Sequence, residues 1–177
     1  LPALCLALAL PPPARALPAP GRPRLAEGLS RSLELLAAVN AFLHRLKELG
    51  TLGFECNLEE VDLEDITKNR INTIKACTSE DPGVKKKSKC LWGIYEDLNA
   101  YRAELKSFND QKVMETIDEM MKALKGSSRS MPQPAAGAGL ASFKERMKLC
   151  SILHAFRIRA FTITRTMNYL TSLESLL

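Results

Sequence analysis

The chain has 177 residues, of which 25 are basic and 20 acidic, for a net charge of +5. That length suits one domain with a single core, and a mildly basic, well-mixed surface argues against a nucleic-acid footprint, which needs cations clustered on one face. Aromatics make up 6% of the chain, alternating β-branched runs are scarce, and Leu, Ala, Glu, Lys, Met and Arg dominate, so the expected fold is all-α. No nucleophile elbow, phosphate loop, dinucleotide fingerprint or H-E-x-x-H occurs. With only two histidines, an enzyme is not expected, and neither is a cofactor.

In chain order, residues 1–16 read as an N-terminally incomplete signal peptide: an apolar stretch from Leu1 to Leu10, then a small-x-small site at Ala14-Arg15-Ala16. Cleavage is expected after Ala16, leaving a secreted chain with no membrane span. Residues 17–26 form a Pro-rich lead-in. A first helix is expected from Glu27 to Leu49. Its stripes are Leu29, Leu33, Leu36 and Leu43, beside Leu35, Val39, Phe42, Leu46 and Leu49. Gly50 and Gly53 end it.

Gly50 to Lys89 reads as a long irregular crossover, with one helical turn near Asp62 to Ile66. Its acidic run Glu59, Glu60, Asp62, Glu64 and Asp65 lacks the glycine that a calcium loop needs. Lys85, Lys86, Lys87 and Lys89 read as a solvated loop, with glycosaminoglycan binding as an alternative use. A second helix is expected from Ser88 to Phe108, on the repeat of Leu91, Ile94, Leu98, Tyr101, Leu105 and Phe108. A third runs from Asp110 to Lys125, with Val113, Ile117, Met120 and Leu124 on one face. Residues 127–141 are a Pro/Gly/Ala linker.

The last helix, from Ser142 to Leu177, opens on a capping box of Ser142 and Glu145. Leu149, Ile152, Leu153, Phe156, Ala160, Ile163, Met167 and Leu170 form its core stripe. His154, Ile158, Phe161, Arg165 and Tyr169 form a second stripe on roughly the opposite face. Two stripes imply two burials, one in the chain's own core and one against something else.

Two long links flanking a very short one predict an up-up-down-down four-helix bundle with two long crossover loops. Cys56, Cys77, Cys90 and Cys150 remain after the leader. No C-x-x-C occurs, and with His44 and His154 read as remote in sequence from the thiols, a metal site is not expected; two disulfides are. The topology puts Cys56 and Cys150 at one end of the bundle and Cys77 and Cys90 at the other. Bridging needs Cα atoms within about 7 Å, so the expected pairs are Cys56–Cys150 and Cys77–Cys90.

The segments LEDITK, IYEDLNAYRAELK, ETIDEMMKAL and KLCSILHAFRIRAFTITRTMNYL resemble the interleukin-12 alpha-subunit family, over about Leu33 to Leu170. The resemblance implies the same two disulfides. It also implies a cytokine subunit that pairs with a receptor-like interleukin-12 beta subunit, the heterodimer engaging interleukin-12 receptor chains on T cells and natural killer cells. A second beta-type subunit, as in interleukin-35, is a further possible partner. The family's arginine that enters an acidic pocket on the beta subunit matches Arg165. Phe161 and Tyr169 would flank it, with Ile158 and His154 at the stripe's upper end, and Phe54 is a candidate receptor contact.

Three departures stand out. The family's cysteine for the covalent link to the beta subunit has no match between Cys77 and Cys90, so a non-covalent heterodimer is expected. A further family disulfide lacks both partners. The link between the second and third helices is shortened to Asn109-Asp110, which implies either an early end to the second helix or a missing segment. No N-x-Ser/Thr sequon occurs. The alternative reading is a self-sufficient helical cytokine or growth factor.

Overall fold

A computed structural model describes residues 25–60, 63, 66–67, 72–78, 84–125 and 142–176. The signal peptide, the lead-in up to residue 24, the linker 127–141, most of the turn near Asp62 to Ile66 and the Lys85 side chain lie outside them. Four helices carry the described chain: α1 (Leu25–Leu49), α2 (Val84–Leu105), α3 (Gln111–Lys125) and α4 (Phe143–Glu174). Short 3-10 turns occupy Leu58–Glu60, Lys75–Cys77 and Lys106–Phe108, and no strand occurs among the described residues.

Side-chain contacts fix the helix directions. On α1 and α4, Thr164 donates to the Ser32 carbonyl and Thr171 to that of Leu25, so the two helices run antiparallel. On α1 and α3, Arg31 pairs with Glu119 and Arg45 with Asp110, again antiparallel. Arg102 meets Asp118 while Lys125 sits over the Tyr95 ring, which orders α2 against α3. Arg159 meets Asp97 and Glu174 meets Lys87, which orders α2 against α4. Both α1 and α2 therefore oppose both α3 and α4, and the bundle is up-up-down-down.

The core stripe expected on α4, from Leu149 to Leu170, is buried throughout. It meets Leu35 and Val39 of α1, Ile94, Leu98 and Tyr101 of α2, and Ile117 and Met120 of α3 in one apolar cluster. Tyr101 and Phe156 bring their ring centroids to 4.8 Å across the α2–α4 contact. Gly28 lets α1 approach α4 closely; a Cβ there would lie 2.5 Å from the Met167 methyl. Ser142 and Glu145 form the capping box that starts α4.

Several boundaries differ from expectation. α1 begins at Leu25, and Leu33 and Leu49 of its expected stripes face solvent. α2 begins at Val84 rather than Ser88, so Lys86, Lys87 and Lys89 stand on its first turns and not in a loop. α2 ends at Leu105, ahead of the expected Phe108. The 3-10 turn Lys106–Phe108 follows, then Asn109 in the left-handed region at φ 53°. Asp110 then caps α3 through the Val113 amide. An early helix end is thus how the short link reverses the chain.

Both disulfides tie the first crossover to the bundle. Cys56–Cys150 has a Cα separation of 5.8 Å and Cys77–Cys90 one of 4.5 Å. Between them, Ile74 is buried and Leu63 and Ile66 pack against the core, as Leu52 does just ahead of Cys56. The crossover therefore descends along the bundle, pinned at both ends.

Candidate partner-binding site

The outer face of α4 has two parts, because among the described residues the crossover covers its upper half. From Leu149 to Phe156 all residues are buried. His154 belongs to this covered part, so what buries this end of the second stripe is the chain's own crossover and not a partner. Its Nε2 lies 2.9 Å from the Cys56 carbonyl oxygen. A carbonyl can only accept, so Nε2 carries the hydrogen. Nδ1 is buried without a hydrogen-bond partner. Burial, then the Arg157 charge, pushes the imidazole below the usual histidine range, against the opposing pull of the Cys56 carbonyl. The ring is a neutral, internal group beneath the crossover.

Below it the stripe emerges. Ile158 is half-buried, and Phe161 and Tyr169 are 57% and 53% exposed. Arg165 is exposed between them, one turn from each, and has no ion pair or hydrogen bond among the described residues. An unpartnered guanidinium between two exposed rings is a common composition for the centre of a binding surface, where aromatics exclude water from a planar, multi-donor cation.

Arg159, six residues earlier on the same helix, was not legible as special from its composition alone. It is fully buried. Its guanidinium donates to the Thr73 carbonyl at 2.6 Å and to the Thr67 hydroxyl at 3.2 Å, and lies 3.5 Å from an Asp97 carboxylate oxygen. It thus clamps the crossover to α2 and α4. The available signal was its register: it stands three after Phe156 and four before Ile163, on the core stripe, where an arginine needs partners.

Phe54 is half-buried and stacks edge-on against Phe143 at 5.4 Å. It is Phe143, at the start of α4, that presents the larger exposed area there. Trp92, exposed on α2, stacks on Tyr95 at 5.2 Å; neither Trp92 nor Phe143 was singled out by periodicity, because both stand off the core stripes. Of the basic run, Lys87 pairs with Glu174 at 3.2 Å, which spends one of its charges inside the molecule. Cys56, Cys150 and His154 cluster together, so His154 is not remote from the thiols; it stands one turn from Cys150 on α4.

Antiparallel neighbours throughout and a long first crossover are the architecture of the helical cytokines. The family model described as interleukin-12 alpha subunit matches residues 2–86 and 83–173. Curated relatives named interleukin-12 subunit alpha from Sus scrofa, Equus caballus and Homo sapiens are each 35% identical over 189 residues. The aligned part covers 85% of this chain and 84%, 84% and 85% of theirs. The chain belongs to the interleukin-12 alpha-subunit family, and it is a cytokine subunit rather than an enzyme. No described helix is long and apolar enough to cross a membrane.

Proposed function

We propose that this chain is secreted, with residues 1–16 removed as a signal peptide, and pairs with a receptor-like interleukin-12 beta subunit through the lower outer face of α4. Arg165 is the centre of that interface, Phe161 and Tyr169 its aromatic walls and Ile158 its upper edge; His154 supports the helix from inside. The heterodimer then brings interleukin-12 receptor chains together on T cells and natural killer cells, and the same face can accept a second beta-type subunit, as in interleukin-35. The observation that carries the reading is Arg165, exposed and unpartnered with an exposed ring one turn to either side.

All four cysteines among the described residues are engaged in internal bonds, which supports a non-covalent pairing. Co-expression with the beta subunit tests both points. Arg165→Ala should weaken association by about 30-fold or more, as for a hot-spot truncation of about 2 kcal/mol. The secreted pair should separate on a non-reducing denaturing gel, with this chain beginning at Leu17. Unchanged association of the Arg165→Ala chain would place the interface elsewhere.

A further inference from the structure

The cluster beneath the crossover has a chemistry that receptor binding does not use. A ring nitrogen of His154 and the sulfurs of Cys56 and Cys150 all lie within 4.8 Å of one another, and all three residues are buried. Cys150 and His154 stand four apart on α4, so one turn of helix aims both at the same point, and the crossover delivers Cys56 to it. The Nε2–H of His154 is committed to the Cys56 carbonyl, which leaves Nδ1 as the nitrogen with a lone pair, buried and unpaired. An orphaned acceptor in a closed interior calls for an explanation.

We propose that, when the Cys56–Cys150 bond is reduced, these three residues form a binding site for Zn2+ or a divalent ion of similar borderline-soft character. Two thiolates and an imidazole are a donor set that zinc prefers. Their combined charge cancels that of the ion, which suits a site lined by buried side chains. The bond from Nε2–H to a backbone carbonyl is the outer-shell contact that metal-bound histidines usually make, fixing the tautomer and the ring plane. A fourth protein ligand is absent among the described residues, so that position is open to water or an external donor.

The balance is simple. A dithiol reductant gives two electrons and two protons to the disulfide and itself becomes a disulfide; two cysteine thiols result. The ion then binds both sulfurs and Nδ1 and releases the two thiol protons. Ion and disulfide exclude each other, so an ion held here would keep the thiols from oxidising.

The test uses the full chain carrying Cys77→Ser and Cys90→Ser, which leaves a single reducible bond. It is reduced with a trialkylphosphine, which departs as the phosphine oxide, and titrated with Co2+ as a spectroscopic probe. One Co2+ per chain is expected, with the intense visible bands of a tetrahedral thiolate site, displaced by Zn2+. The unreduced chain should take none. His154→Ala should bind at least about tenfold more weakly. If reduction lowers helicity, Zn2+ should restore it in the parent and not in His154→Ala. No stoichiometric Co2+ uptake, equal affinity without the imidazole, or, where reduction has lowered helicity, no recovery of it by Zn2+ would each overturn the proposal.

Discussion

Arg159 and Arg165 lie on one helix and have opposite fates. Arg159 is enclosed, with Thr67, Thr73 and Asp97 around it. Replacing it by Met removes a buried cation from beside the buried Asp97 carboxylate, a change that typically costs about 3–5 kcal/mol. Urea unfolding of Arg159→Met should show a loss of that order. Arg165→Ala removes no internal partner, so its unfolding midpoint should correspond to a change within about 0.5 kcal/mol, whatever it does to association. His154 supplies the pH dependence at this scale. Its folded pKa is lowered, so the folded state resists a proton that the unfolded chain accepts near pH 6.5. The stability it contributes is complete above that pH and declines as pH falls below it, levelling off under the folded pKa. Comparing unfolding of the disulfide-bonded chain at pH 7.5 and 5.5, the parent should lose more than His154→Gln.

Among the elements, the turn between α2 and α3 is the most constrained. Asn109 holds a left-handed conformation, which Asn and Gly tolerate and a β-branched residue does not. Asn109→Val should cost about 1–2 kcal/mol and Asn109→Gly much less, read from denaturant midpoints. This element also marks where sequence reading reaches its edge. The apolar repeat of α2 runs unbroken to Phe108, because a 3-10 turn keeps Phe108 on the core side, where its ring meets Phe42 at 5.1 Å. Periodicity follows side chains and cannot see the change in backbone winding. The start of α2 is silent in the pattern for the converse reason: Lys86, Lys87 and Lys89 carry no apolar signal, yet the helix extends through them to Val84. By contrast, the capping box and core stripe of α4 were legible because each is set by local spacing. His154 and Arg159 were not, because their roles come from a crossover about 80 to 100 residues away in sequence, whose path local patterns do not encode.

Across the whole molecule, topology was legible through link lengths, since a link must physically span the distance between the ends it joins. The candidate face was legible only in its lower half, where nothing else in the described chain covers it. The two disulfides differ in what they constrain. Their sequence separations are 94 and 13, so in the chain-entropy model the first contributes about 4.7 kcal/mol and the second about 3. Paired Cys-to-Ser variants should therefore lower stability in that order, as judged by denaturant unfolding.

The wide bond also imposes a schedule on synthesis. Cys77 and Cys90 leave the ribosome together and can pair at once, whereas Cys56 must wait for a partner roughly 60 residues beyond Cys90, about 3–12 s at ordinary elongation rates. Throughout that interval the nascent chain holds a lone thiol at the top of an unfinished bundle. Whatever meets Cys56 first, an oxidoreductase, a wrong cysteine or a metal ion, competes with the arrival of the last helix.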